Sequence, residues 1–170
     1  MNMSDAFQKA YQNSGKPMPH QGGRSVPQRP AGLEQKQKVE SPIPLPANFV
    51  DEAERLMQEN NKLPKDDKHR FDITTSKIRN LLSLATEIYH QEYLRNEPKL
   101  LEESLYQIQM MRVRMLYEAG REPAVKTFLA QSHLIGYLKD IGDDRMKLIR
   151  YTQYLEALVA YHRYFGGREN

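Results

Sequence analysis

From Phe49 to Phe165 the apolar residues return every three or four positions, and only short groups of capping and helix-breaking residues interrupt that rhythm. A 3.6-residue period suits amphipathic helices and does not suit half-buried strands, whose apolar residues alternate. FVDEAERLMQEN (49–60) reads as a short helix with Phe49, Ala53, Leu56 and Met57 on one side. DITT then supplies caps for a helix over about 75–95, carrying Ile78, Leu81, Leu82, Ala85, Ile88 and Tyr89 on one side. Asn96-Glu97-Pro98 restarts the chain, and the next helix is expected over 98–119 with Gly120 as its stop. Glu122-Pro123 opens a shorter helix interrupted near Gly136, and Asp143-Asp144 caps a last helix that runs to Phe165. With short connections and no alternating pattern, the chain is expected to be all-α, a compact bundle of four to six helices.

The first 47 residues follow no such rhythm. They hold seven of the ten prolines and four of the nine glycines, and end in the stiff segment SPIPLPAN, which favours an extended path. Their basic residues (Lys9, Lys16, Arg24, Arg29, Lys36, Lys38) outnumber their acids (Asp5, Glu34, Glu40), whereas residues 48–170 carry 19 of each sign. The expected organisation is a flexible, disordered basic N-terminal arm over 1–47, with a weak helix at Ser4 to Gln12, and a helical-bundle domain over 48–170. Net charge therefore lends the folded part no support as a nucleic-acid binder, and any such role must rest on where its charges sit.

The absence of cysteine removes disulfides, thiolate chemistry and cysteine-ligated zinc. No apolar run approaches the ~18 residues that span a bilayer, and the first residues lack the apolar stretch of a secretory signal. A soluble, cytoplasmic protein with no membrane association is expected.

Two helices carry more apolar surface than an ordinary bundle helix uses. In the helix over 98–119, one stripe holds Leu101, Leu105, Ile108, Met115 and Leu116, and a second holds Tyr106, Met110, Val113 and Tyr117. In the last helix, Leu148, Tyr151, Leu155, Leu158, Val159 and Phe165 form one side, and Tyr154, Ala157, Tyr161 and Tyr164 a second band beside Arg150. Such a helix is either central in its own fold or buries its second side against a partner.

Catalytic signatures are missing. Glu87 and His90 make a single E-x-x-H, the spacing that carboxylate-bridged di-iron bundles use twice. His90 lies on the polar side of its helix, so a solvated histidine is the reading. His162, among Leu155, Leu158 and Phe165, reads as a hydrogen-bonded core histidine, and Asp143-Asp144 as ordinary caps. No phosphate-cradling glycine loop, nucleophile elbow or paired metal motif occurs. No catalytic residue, metal site or cofactor is expected.

What remains is a set of cations near helix starts and ends: Lys77, Arg79, Arg112, Arg114, Arg121 and Lys126. Helix N-termini bearing cations make a phosphate surface, because amides and positive side chains point the same way. The alternative is a solvated surface on which Arg114 pairs with Glu118 and Lys126 with Glu122. Spacing does not choose between them. Arg112 is the sharpest case, since it falls amid the apolar side, between Leu105, Ile108, Met115 and Leu116. An isolated charge there is costly. An internal pair with Glu87 or Glu156 is the first expectation, and a guanidinium reaching out from a groove edge the second.

TTSKIRNLL (74–82), MRVRMLYEAGRE with the following PAVKTFL (111–129), and YTQYLEALVAYHRYFGG (151–167) together resemble the small subunit of the type III-A CRISPR effector, the Csm complex. The resemblance implies a compact helical bundle with no activity of its own, a structural RNA-binding subunit of an antiviral ribonucleoprotein. It further implies that several copies stack beside the backbone and large subunits, along the paired guide RNA and target RNA, and touch the RNA backbone. Carried onto the matched segments, the implied RNA-binding positions are Lys77, Arg79, Arg112, Arg114, Arg121 and Lys126, with Arg163 a weaker member. The arm has no counterpart in the compact core of that family. Two readings of it stay open, a solvated tail or a basic strand that gains order on RNA or a neighbour. For the whole chain, a helical protein-interaction adaptor without RNA is the competing function.

Overall fold

The computed structural model describes residues 39–169, which fall within one compact unit. The arm as far as Lys38, including the short helix expected at Ser4 to Gln12, lies outside the described residues. Among them are six helices: α1 (Phe49–Lys62), α2 (Thr75–Tyr93), α3 (Glu102–Arg121), α4 (Pro123–Gln131), α5 (Leu134–Asp140) and α6 (Arg145–Tyr164). The architecture is all-α, as the periodicity implies.

The last of these helices lies at the centre. α6 packs against α2, α1 and α5, α2 against α3, and α3 against α4. Leu148, Leu155 and Leu158 of α6 meet Ile78 and Ala85 of α2, Met115 of α3 and Phe128 of α4 in one buried core. Full burial of each large apolar side chain is worth about 1.5–3 kcal/mol. Tyr154, on the second band of α6, is buried as well, edge-on to Phe49 and Tyr137, with its hydroxyl donating to the Ser132 carbonyl (3.1 Å). The first apolar side of α6 and most of the second are thus used inside the fold, with Tyr164 at the helix end left exposed.

Three boundaries differ from the spacing-based expectation, each for a visible reason. α3 begins at Glu102 instead of Pro98, because residues 98–101 bond elsewhere. The Pro98 carbonyl accepts from the Arg145 N–H (3.0 Å), the Leu100 N–H donates to Asp143 (2.9 Å), and the Leu101 N–H is taken by the Glu92 carboxylate (2.9 Å). α3 also runs through Gly120 to Arg121. It breaks at Glu122 (φ −134°, ψ 114°), since Pro123 disfavours helical geometry in the residue before it. The interruption expected near Gly136 falls at Ser132-His133, where His133 adopts φ 54°. Gly136 lies inside α5, and a Cβ there would come within 2.9 Å of Ile43 Cδ1.

That approach is made by residues 40–46, the end of the segment read as arm, which run along the bundle. Glu40 holds the α4–α5 break: its carboxylate contacts His133 Nδ1 (2.5 Å) and accepts from the Gly136 N–H (3.1 Å), while its carbonyl accepts from Lys139. The Ile43 N–H donates to the Gly136 carbonyl (3.1 Å), and Arg150 donates to that of Pro46 (3.0 Å).

Two further junctions fix α2. At its start, the Thr75 N–H donates to the Arg168 carbonyl (2.7 Å) and the Ser76 N–H and hydroxyl to that of Glu169. Buried His162 lies beneath this clasp, Nε2 donating to the Ile73 carbonyl (3.1 Å) and Nδ1 lying 3.1 Å from Thr75 Oγ1. A Cβ on Gly167 would overlap the His162 ring. At the other end of α2, Glu92 is fully buried and paired with Arg95 (2.6 Å). Burial alone would raise its pKa, but the Ser104 side chain, the Leu101 N–H and Arg95 outweigh it and hold the carboxyl below its ordinary range.

Candidate nucleic-acid interface

α3 buries Ser104, Ile108, Met111 and Met115, a face that keeps Ile108 and Met115 of the stripe expected to be its core side, with Leu105 packed at its edge, and is rotated from it by part of a turn. Leu101 and Leu116 are exposed, and Arg112 is half-buried on the flank of the buried face. The cost that made Arg112 a problem is therefore mostly absent. Among the described residues it makes no ion pair, and Glu87 and Glu156, its expected internal partners, are both exposed. The second stripe of α3 is open, with Tyr106 66%, Val113 53% and Tyr117 61% exposed and Met110 at its margin.

Between α2 and α3 runs a groove of about 390 Å³ lined by Lys77, Asn80, Ser83, Leu84, Arg114 and Tyr117, among others. It brings Lys77 and Arg114, one from each helix, to the same concavity. Arg121 stands at its edge, its guanidinium 5.5 Å from the centre of the Tyr117 ring and 3.9 Å from Glu118. Lys77 pairs with Glu122, the residue between α3 and α4. Arg114 makes no ion pair among the described residues, because Glu118, its expected i+4 partner, turns toward Arg121.

The other cations lie elsewhere. Lys77 and Arg79 are turned about 200° from one another around α2, since each helical residue advances about 100°. Arg79 is exposed and makes no ion pair among the described residues. Lys126 is exposed on the first turn of α4. Arg163 pairs with Glu169 (3.0 Å) at the far end of α6.

Two helix N-termini have their amides engaged within the fold, whereas α4, which opens at Pro123 before Lys126, has no side-chain cap. Those of α2 are taken by the Arg168 and Glu169 carbonyls, and those at the start of α6 by the Asp144 carboxylate (2.8 and 3.1 Å). A second concavity, of about 380 Å³, includes Lys65, Arg70, Phe165 and Arg168. Its polar groups are mostly engaged within the fold: Arg70 donates to the Leu63 carbonyl (2.6 Å), and the Asn60 side chain bonds both backbone groups of Phe71. Among the described residues no group of three or more His, Asp or Glu comes together to hold a metal, and no helix is long and apolar enough to cross a membrane.

Comparison with known proteins gives this geometry a context. The model of the Csm2 Type III-A family matches residues 50–168. A "CRISPR system Cms protein Csm2" from Streptococcus thermophilus is 39% identical over 122 residues, covering 72% of this chain and 94% of the relative. The protein of that name from Mycobacterium tuberculosis (strain ATCC 25618 / H37Rv) matches to the same extent. That from Enterococcus italicus is 35% identical, covering 65% of this chain and 85% of the relative.

Proposed function

This chain belongs to the Csm2 Type III-A family, and from that premise we propose that it is a non-catalytic structural subunit of a type III-A CRISPR Csm complex, one that touches the RNA backbone and stacks in several copies along paired guide and target RNA. The observation that carries the RNA contact is the placing of Lys77 and Arg114 on facing sides of one groove, with Arg121 at its edge. Cations on two helices, with Asn80 and Ser83 between them, suit a phosphate backbone and need read no base. Arg79, Lys126, Arg112 and Arg163 are secondary candidates for contact with other strands or other subunits in an assembly.

Stacking draws support from the open stripe of Tyr106, Val113 and Tyr117. α6 uses one apolar side and most of the other internally, whereas α3 leaves a whole stripe uncovered, as an assembly surface requires. The same stripe is what a protein-interaction adaptor without RNA would use, so the two readings separate on RNA. Reconstituting the complex with Lys77→Glu and Arg114→Glu together should weaken capture of target RNA, with a shallower salt dependence as fewer counterions are released. Capture unchanged at matched salt, with the helical circular dichroism intact, would favour the adaptor.

A further inference from the structure

Along α2, Lys77, Leu81 and Leu84 follow one another at helical spacing on the side that meets α3, and along α3 Arg114 and Tyr117 do the same on the side that meets α2. The groove between these helices therefore has two characters. Its rim carries Lys77 and Arg114, whereas buried Leu81 and Val125 form its floor together with half-buried Leu84. Tyr117 is the exposed aromatic of its wall, with the Arg121 guanidinium lying over the ring.

A phosphate backbone answers only the first of these characters. Phosphates on the rim would leave the leucines and the tyrosine ring facing water or charge, and apolar surface is covered favourably only by apolar matter. A double helix keeps its bases paired and stacked inside and turns phosphate and ribose outward, so it has nothing flat and apolar to place there. An unpaired nucleotide has both parts: its phosphates are anionic, and its base offers a π-face that stacks on tyrosine. The groove's volume of about 390 Å³ lies near the lower end of the ~300–1,000 Å³ range of small-ligand sites, a size for one such unit and not for a duplex. Lys77, paired with Glu122 just beyond α3, marks one end of the groove. Arg114, about two turns earlier on α3, marks the other, with Tyr117 between them, as the phosphates on either side of one nucleotide require.

We propose that the α2–α3 groove takes a single unpaired RNA nucleotide, its base stacked on Tyr117 and its flanking phosphates held by Lys77 and Arg114. This rests on the RNA-binding reading above and specifies what the groove takes from strands that are otherwise paired. Base identity is not read, because every base has a π-face and the Ser83 hydroxyl is already donated to the Asn80 carbonyl (2.8 Å).

The chain contains no tryptophan, so Tyr117→Trp places a lone indole fluorophore in the groove. The full-length variant is titrated at fixed salt with a single-stranded RNA, with the same sequence as a duplex, and with an abasic strand of the same length. Quenching by the single strand, and not by the duplex or the abasic strand, is the expected result. In parallel, Tyr117→Ala should weaken single-strand binding about tenfold and Tyr117→Phe should keep it, with duplex binding equal to that of the unaltered chain in both. If duplex and single strand bind alike and Tyr117→Ala is silent, while Lys77→Gln with Arg114→Gln weakens both, the inference falls and the backbone reading stands. If the unaltered chain binds RNA in neither form, both fall. An indole that ignores RNA but shifts its emission to the blue when the other subunits are added without RNA would overturn the inference in favour of a protein side chain in the groove.

Discussion

Lys77 on the first turn of α2 is ion-paired with Glu122, forty-five residues away at the break between α3 and α4. The only described ion-pair partner of this groove lysine is thus a carboxylate that a phosphate would have to displace. Glu122→Gln is expected to raise RNA affinity several-fold, and Lys77→Gln to lower it, in a filter-binding titration at fixed salt. The pair is partly exposed, so loss of either member should change stability by no more than about 1 kcal/mol. Weaker binding by Glu122→Gln would show that the pair positions Lys77 and does not compete for it.

Buried Glu92 accepts from the Leu101 N–H and pairs with Arg95, joining the end of α2 to the start of α3. Glu92→Gln, which keeps the shape and removes the charge, should destabilise the bundle by about 1.5–3 kcal/mol in a urea titration. Because its folded pKa is depressed, its contribution is full above the ordinary value of 4.5 and is lost as pH falls through the folded value. The variant should therefore lose less stability than the unaltered chain on acidification in that window.

His162 titrates differently. Burial pushes its pKa below the ordinary 6.5, against the Ile73 carbonyl and the Asp72 charge, both of which favour the protonated ring. Below pH 6.5 the unfolded chain takes up the proton more readily than the folded one, so stability falls from there down to the folded value and then levels off. Melting temperature should drop between pH 7.5 and 5.5, and His162→Gln should flatten that part of the profile while lowering stability throughout.

Val113→Asp adds a charge to an exposed site, so thermal stability should stay within about 0.5 kcal/mol of the unaltered chain. Recovery of the assembled complex by size-exclusion chromatography should decline sharply. Normal assembly by a folded Val113→Asp chain would remove the α3 stripe from the proposed contact.

Gly136→Val forces a branched side chain toward Ile43 and the Glu40 carboxyl group. A cost of about 1–3 kcal/mol is expected from the overpacking. Limited proteolysis should then cut within residues 40–46 faster than in the unaltered chain.

The sequence made the helices legible because period and breakers agree: Thr74 and Asp144 cap where a reader would place caps, accepting from the N–H groups of Lys77 and of Met146 and Lys147. It revealed only part of the side of α3 that faces inward, Ile108 and Met115, because that helix is apolar most of the way round. Leu101, Leu105 and Leu116 outweigh Ser104 and Met111 by hydrophobicity, yet Ser104 and Met111 are buried. The neighbours α2 and α4 decide this by where they pack, which the periodicity of α3 itself does not record. The same rotation removed the problem of Arg112 and turned Arg114 to the groove. Glu92 went unnoticed because a glutamate near a helix end reads as solvated, and only the returning Leu101 and the adjacent Arg95 give it a buried site. Lys77 and Arg79 look alike in a list of cations, whereas helical geometry alone already separates their directions.

The central position of α6 also bears on the order of events during synthesis. α1, α2 and α5 all lay apolar faces against a helix made of residues 145–164, so each leaves the ribosome before the surface that will cover it exists. Contacts such as Thr75 to Arg168 span more than ninety residues and add loop-closure cost to their formation. Such a bundle condenses late, around its last helix, and the interval before that is when its chains are most exposed to aggregation and most dependent on chaperones.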